Sequence, residues 1–446
     1  MSLFHEYEIR GEVPGELDAD VARRIGYCFA RHVRGKTYVV GHDMRSTAAE
    51  IRDGLVGGIN DAGADVIQLG QVPTPVTYFA IDHLGADGGI SITASHRPAT
   101  INGFKLCREG AIPIGSKTGL KEIEEAFEAQ SGPPEPEGER GGSRDEDAVE
   151  AYVEHVLGRA KIDRPLEVVV DAGNGVAGVT VERLFERLPT VQLSPLFFEP
   201  DDAFPNHEPD PKKARNLVAL QKAVLERGAD LGVAYDADGD RVAFVDENGK
   251  AVPRDFVIAL LARWILASHP DSPIIYDLRA SWVVPEEIRA HRGYPVRERV
   301  GHAFIRAAMR EKEAWFAGEK TGHYYFRDTS YADCADLAVL GVLSLMCRDG
   351  KKLSALVRPF DRYVHTEPLD FQVDDPEEKI LEIAREFAGA KIDYLDGITV
   401  SHPTWWFNLR RSTTGPLLRL NMEARTRERL EASAAVLHRI LGDPVP

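Results

Sequence analysis

The sequence predicts an α/β protein of several domains, and three observations carry that prediction. Strand-like and helix-like segments alternate almost throughout the chain. Its 446 residues are too many for one ordinary hydrophobic core. A β-branched strand ending near an Asp, followed by a helical pattern, appears three times: at residues 36–45 (KTYVVGHDMR), 166–174 (LEVVVDAGN) and 273–279 (PIIYDLR). Each repeat fits one α/β unit of roughly a hundred residues, although buried parallel strands in general carry this pattern.

Two segments break the rhythm. Residues 130–147 (QSGPPEPEGERGGSRDED) are rich in Pro, Gly and charge and read as an interdomain linker. After about Phe360 the pattern changes: residues 374–388 read as a helix, 398–409 and 417–422 as strands, and 424–441 as a closing helix with Leu430, Val436, Leu437 and Ile440 apolar. This tail is expected to form a smaller α+β domain. The expected domains are residues 1–140, 147–250, 251–360 and 361–446.

Composition narrows the function classes. Apolar content of 43% and charged content of 28% are those of a globular protein in water. The best apolar run, residues 257–267, is interrupted by Arg263 and falls short of a membrane span. The first residues carry Glu6 and Glu8 and no apolar signal core, so a cytoplasmic location is expected. Cys28, Cys107, Cys334 and Cys347 are scattered without a CxxC pair, which indicates neither a zinc site nor a disulfide framework. The formal net charge of −17 argues against nucleic-acid or anionic membrane partners. Small phosphorylated ligands stay compatible, provided basic residues converge locally.

Four segments carry chemistry. In residues 90–106 (ISITASHRPATINGFKL), a strand runs into Thr93-Ala94-Ser95-His96-Arg97-Pro98. Pro98 disfavours helix at Arg97, so the loop is expected to stay open and present its side chains. Asn102-Gly103 is a turn signal that returns the chain towards Lys105. A hydroxyl, an imidazole, a guanidinium and an ammonium gathered at one strand end suit phosphate chemistry.

In residues 230–247 (DLGVAYDADGDRVAFVDE), Asp236, Asp238 and Asp240 alternate between two apolar strands, and Arg241 follows. Carboxylates packed this closely repel one another, and a hard, oxygen-liganded cation removes that cost. An EF-hand would place Glu247 at position twelve, but Arg241 occupies the position that needs glycine, and strands flank the loop. Magnesium, which keeps a place for phosphate oxygen, fits better.

The third segment, residues 317–327 (AGEKTGHYYFR), sets Glu319, Lys320, Thr321 and His323 between strands ending near Phe316 and starting near Tyr324. A carboxylate beside such groups can hold sugar hydroxyls. In the fourth, residues 408–421 (NLRRSTTGPLLRLN), Arg410, Ser412, Thr413 and Thr414 could cradle a phosphate. A rival signal is the GxGxxG at residues 173–178, after a strand, with Glu199 near the acidic position of a dinucleotide fold. It keeps a dinucleotide-dependent oxidoreductase in view, although Asp171 and Asn174 make its turn polar and the serine and aspartate loops go unexplained.

Together these segments resemble the α-D-phosphohexomutase family, in particular its bacterial and archaeal phosphomannomutase/phosphoglucomutase branch. Residues 93–98 are similar to its phosphoserine loop TASHNP, 236–241 to its metal loop, 318–323 to its sugar loop GEMSGH, and 410–416 to its phosphate loop RxSNTEP. Tyr7-Glu8-Ile9-Arg10-Gly11 resembles YDIRG, residues 40–46 resemble VGRDxRxS, and residues 171–178 match DxGNGxAG, which would make the glycines of the rival signal structural. Phe204-Pro205-Asn206-His207 and Gly301-His302 also fit. Arg97, Thr321, Arg411, Thr413 and Gly415 depart from the common pattern.

The resemblance implies three related α/β domains with mixed sheets and a smaller, mobile C-terminal domain around a central cleft. It implies transfer between hexose 1-phosphate and hexose 6-phosphate through phosphorylated Ser95, with mannose or glucose as the hexose and hexose 1,6-bisphosphate as intermediate and activator. Mg2+ would sit on Ser95, Asp236, Asp238 and Asp240. His96, Arg10, Lys105 and Arg241 would attend the transferring phosphoryl group, and Lys105 and His302 are both candidates for proton transfer. Tyr7, Arg279, Glu319, Thr321, His323, Arg410, Ser412, Thr413 and Thr414 would bind substrate. The expected partners are small hexose phosphates, with the chain a monomer or small homo-oligomer. A metal-dependent sugar phosphatase and a non-catalytic sugar-phosphate binder stay open as other readings.

Overall fold

The computed structural model describes residues 3–136, 138–411 and 417–445. Its strands form four sheets taken in chain order. In the first, Thr37–His42 lies between two parallel partners, Asp65–Gln71 and Gly88–Ile92, and the latter turns back antiparallel into Ile101–Arg108. The second repeats the plan. Leu166–Asp171 lies between parallel Val191–Leu196 and Leu231–Tyr235, which returns as Val242–Asp246. The third repeats it again, with Pro273–Asp277 between Tyr294–Glu298 and Phe316–Gly318, which returns as Tyr324–Phe326. The three recurring sequence segments are therefore the three central strands.

The mixed pattern explains the residue choice. Strands buried on both faces read as continuous apolar runs, and every residue of Gly88–Ile92 and Leu231–Tyr235 is buried. The Asp that ends each central strand closes the same turn. Its Oδ1 accepts from the backbone N–H two residues on: Arg45 at 3.0 Å, Gly173 at 2.8 Å and Arg279 at 2.8 Å. Each antiparallel return carries one of the chemical loops, residues 93–100, 236–241 and 319–323. All three lie at the carboxyl ends of parallel strands, where α/β sheets place their ligands.

One apolar core runs through the first three units, from Val39 to Phe360, while the first unit has a second core on the other face of its sheet, under helices Ala19–Val33 and Ala48–Asp61. The last unit is an antiparallel sheet with its own core from Phe371 to Leu441, under the helix Arg427–Leu441. None of the described helices is long and apolar enough to cross a membrane.

Three local expectations change. Residues 398–409 are two antiparallel strands, Ile398–Ser401 and Trp405–Arg411, with Pro403 in the turn between them. Asn102-Gly103 is not a turn but part of strand Ile101–Arg108, where Gly103 pairs with Arg10. A Cβ on Gly103 would lie 2.0 Å from the Ile9 carbonyl oxygen, so glycine is required by the close approach of two strands. The segment read as a linker contributes an edge strand, Ser143–Asp145, parallel to Asp65–Gln71.

Candidate active site

Ser95 does not project from an open loop. It is fully buried, with a left-handed φ of 52°. Arg45 explains that conformation. Its guanidinium donates to the carbonyls of Ser95 (2.8 Å), Arg97 (2.8 Å) and Pro98 (2.7 Å), and its Nε donates to Asp43 at 3.2 Å. Asp43 also accepts from Thr93 Oγ1 (2.7 Å), whose oxygen in turn accepts from the Ser95 N–H (2.8 Å). Burial pushes the Asp43 carboxyl up, against the pull of Arg45.

The Ser95 hydroxyl is held from two sides. It donates to Asp236 Oδ2 at 2.9 Å and accepts from Arg241 Nη2 at 2.9 Å, with His96 Nδ1 3.2 Å away. Arg241 Nη1 lies 2.8 Å from the same His96 nitrogen, and its Nε donates to His323 Nε2 at 3.0 Å. Burial first, and then the cations Arg241, Lys212, Arg10 and Arg97, hold the His96 imidazole far below its ordinary range and so neutral.

Asp236, Asp238 and Asp240 are at most 1% exposed, and one carboxylate oxygen from each falls within 4.8 Å of the others. The turn that carries them is closed by Asp236 Oδ1, which accepts from the N–H groups of Asp240 (3.1 Å) and Arg241 (3.0 Å), with Gly239 at φ 70°. Lys105, from the first sheet, donates to Asp238 and Asp240 at 2.5 Å each. Thr74 donates to Asp238 at 2.8 Å. Burial and the two neighbouring carboxylates drive Asp236 well above the usual range. Burial opposes the charge of Asp240 too, but Lys105, His323 and Arg241 outweigh it and hold that carboxyl down. Asp238 Oδ1 and Asp240 Oδ1 are buried without a hydrogen-bond partner. Clustered carboxylates that keep orphaned oxygens are the donor set a hard divalent cation takes.

A cavity of about 220 Å3 opens over this cluster, lined by Tyr7, Arg10, His96, Lys105, Asp240, Arg241, His302 and His323 among others. Ser95, Asp236 and Asp238 lie just beneath it. Burial lowers His302 to about 4, and its ring packs edge-on against Tyr7 at 5.3 Å. Arg10 donates to Glu8 at 2.7 Å and keeps a buried, unpartnered Nε. In the sugar-loop segment, Glu319 accepts from the Gly301 N–H (3.1 Å) and the Tyr325 hydroxyl (2.5 Å), leaving one further lone pair on each oxygen. The Thr321 hydroxyl is buried without a partner. Arg279 is bound at both Nε and Nη2 by Asp277. Burial and then the charge of Arg279 depress Arg410, whose Nε has no partner. Two guanidinium groups set near enough to repel invite an anion. Ser412, Thr413, Thr414 and Gly415 lie outside the described residues.

The glycines at 173–178 answer local packing: Gly173 has a left-handed φ of 56° beside Pro209, Gly178 faces Phe198, and Gly175 meets the metal-loop segment. A Cβ on Gly175 would lie 2.4 Å from the Ala237 carbonyl oxygen, and Val176 N donates to that oxygen at 2.9 Å. No pyrophosphate is needed to explain them. Asn206 and His207 belong to the same turn, reaching Asn174 (2.8 Å) and Asp171 (2.9 Å).

Comparison with known proteins agrees with this geometry. The family profiles of phosphoglucomutase/phosphomannomutase match in chain order: alpha/beta/alpha domain I over residues 1–133, domain II over 150–249, domain III over 253–363 and the C-terminal domain over 370–439. The chain belongs to the phosphoglucomutase/phosphomannomutase family. A phosphomannomutase of Salmonella montevideo is 38% identical over 436 residues, 95% of each chain. A Xanthomonas campestris protein described as phosphohexose mutases is 39% identical over 433 residues, again 95% of each. A crystal structure of a phosphoglucomutase/phosphomannomutase family protein from Burkholderia thailandensis superposes with a TM-score of 0.91 at 34% identity, covering 98% of this chain and 96% of that one. The protein is thus an isomerase of hexose phosphates, and neither the phosphatase nor the oxidoreductase reading has support.

The match of residues 40–46 to VGRDxRxS includes Asp43 and Arg45 but gives them no role in the site, and motif spacing does not mark Thr74, Tyr325 and Asp333 at all. A signal for the first pair does exist: Asp43-Met44-Arg45 recurs as Asp277-Leu278-Arg279 at the same point of the repeat. Arg45→Ala would leave the buried Asp43 carboxylate without its counter-charge and take the guanidinium donors from the Ser95, Arg97 and Pro98 carbonyls. Breaking a buried pair in this way costs about 3–5 kcal/mol, so the denaturation midpoint should fall markedly. An unchanged midpoint would contradict the assigned contacts.

Proposed function

We propose that the enzyme interconverts hexose 1-phosphate and hexose 6-phosphate, accepting both mannose and glucose, through phosphorylated Ser95 and a bound hexose 1,6-bisphosphate. The observation that carries this reading is the Ser95 hydroxyl held between the Asp236 carboxylate and the Arg241 guanidinium, at the edge of the acidic cluster. The two ends of a hexose are too far apart for direct exchange, so a phosphoryl store is needed, and a serine oxygen held in place by neighbouring groups can be one.

Asp236, Asp238 and Asp240, with an oxygen of Ser95 or its phosphate, would hold Mg2+, which when bound offsets the charge of the phosphoryl group. Arg10, Lys105 and Arg241 neutralise the remaining charge, since phosphoryl transfer is mostly positioning and electrostatics. Lys105 is kept protonated by Asp238 and Asp240, although burial opposes its charge. His302, lowered to about 4 chiefly by burial, is unprotonated at neutral pH. An acid and a base are therefore present in one cavity, which suits donation to one sugar oxygen and acceptance from the other.

The second phosphate would rest on Arg279 and Arg410, with Ser412, Thr413 and Thr414. Tyr7, Glu319, Thr321 and His323 would hold the sugar in both orientations. Free hexose 1,6-bisphosphate would act as activator by rephosphorylating Ser95. A C-terminal domain that closes over the cavity would retain the intermediate and keep water from the phosphoserine.

Ser95→Ala should lower kcat at least about 1,000-fold, the scale of losing a covalent carrier, and abolish phosphate incorporation seen by mass spectrometry. Retained turnover would refute the mechanism. Arg410→Ala should raise KM and increase release of bisphosphate while Ser95 stays phosphorylated; unchanged kinetics would remove Arg410 from the cradle. A site that binds the sugar in two opposed poses has difficulty keeping contacts specific to carbon 2. Mannose 1-phosphate and glucose 1-phosphate should therefore differ by no more than about a hundredfold in kcat/KM, and Glu319→Ala should impair both. Strict selectivity for one epimer would refute this account of sugar binding.

A further inference from the structure

Asp333 has no place in the scheme above, yet it touches a group that the scheme depends on. It ends the short strand Ala332–Asp333, paired with Tyr325 on the neighbouring strand, and is 3% exposed. Its Oδ2 lies 2.8 Å from His323 Nδ1, an ion-pair contact that approaches the ring nitrogen off the axis of an aligned hydrogen bond. The opposite ring nitrogen, Nε2, accepts from Arg241 Nε at 3.0 Å.

A guanidinium has donors only, so Nε2 of His323 must carry its lone pair, and in the neutral ring the proton sits on Nδ1, against Asp333. The other nearby carboxylate oxygen, Asp240 Oδ1, is 3.8 Å from Nδ1 and beyond hydrogen-bond reach. The neighbouring Tyr325 hydroxyl is committed to Glu319. Arg241 in turn has a partner at each nitrogen: His323 at Nε, His96 at Nη1 and Ser95 Oγ at Nη2. A planar fork held at three corners is less tightly fixed when one corner is released.

We infer that Asp333 is a positioning residue: it fixes the ring of His323 and, through that ring, the guanidinium that touches Ser95 Oγ. The inference rests on the proposed role of Ser95, and it adds a buried line Asp333–His323–Arg241–Ser95 that joins the third unit to the first through the second. Asp333 lines the cavity, but its side chain reaches Ser95 only by way of His323 and Arg241. Its effect falls chiefly on the rate of the transfer, with a smaller effect on substrate capture through His323. A carboxylate that orients an imidazole in this way typically governs about 10- to 100-fold in activity.

The test uses full-length enzyme carrying 15N-labelled histidine. His323, assigned by loss of its signals in His323→Gln, should show the Nδ1–H tautomer in the wild type; an Nε2–H tautomer overturns the inference whatever the variants do. Asp333→Ala should lower kcat about 10- to 100-fold, with a smaller rise in KM because His323 also holds the sugar. Asp333→Asn, whose side-chain oxygen can take the place of Oδ2 beside Nδ1, should recover most of kcat and keep the tautomer. Unaltered kcat in Asp333→Ala, or equal losses in the Ala and Asn variants, would overturn the role. If Asp333→Ala does not fold, the wild-type tautomer and the Asn variant decide the question. Ser95→Ala reports separately on the carrier: an inactive Ser95→Ala beside a fully active Asp333→Ala sinks the positioning role alone, whereas an active Ser95→Ala sinks the carrier reading.

Discussion

The molecule is organised around the problem of burying three carboxylates in one turn. Asp236, Asp238 and Asp240 are all but fully removed from water, and two of their oxygens have no hydrogen-bond partner. Two unit charges about 4 Å apart repel by roughly 4 kcal/mol at the effective dielectric of a protein, so such a turn exists only where cations reach it. Lys105 comes from the first sheet, and Arg241 from the turn itself. The Ser95 hydroxyl sits at the boundary between these opposed charges, which is where a group that gains and loses a dianion belongs.

The repeated sheet supplies this arrangement cheaply. Each of the first three units ends three parallel strands and begins one antiparallel return at the same edge, so three different loops come to one place without special connections. The turn after the central strand shows how one local structure takes separate tasks. In the first unit Asp43 holds Arg45, which grips the backbone of the Ser95 loop. In the third, Asp277 holds Arg279 near Arg410 of the last unit. In the second, the arginine is replaced by glycine, and Asp171 accepts from His207 instead.

The apolar cores divide the molecule differently from the chemistry. The first three units share a core, which keeps the Ser95, aspartate and Glu319 loops in register. The last unit has its own core and meets the third through polar contacts such as Trp282 N to Glu423 at 2.9 Å and the Arg297–Asp393 pair. Polar boundaries of this kind are the ones along which domains shift most easily.

The sequence by itself determined the kinds of chemistry and much of the architecture. Alternating strands and helices, a three-fold recurrence, alternating aspartates and the serine loop are local patterns, because backbone periodicity and residue type are properties of neighbours in the chain. Only the tertiary structure decided that Ser95 is buried rather than displayed, that Asn102-Gly103 is strand rather than turn, and that Asp43, Arg45 and Asp333 support the site. Those facts depend on which distant groups meet. Ser95 and Asp236 are 141 positions apart in the chain, and Lys105 and Asp238 are 133 apart. Charge compensation, unlike periodicity, acts through space, and a pattern of neighbours does not contain it.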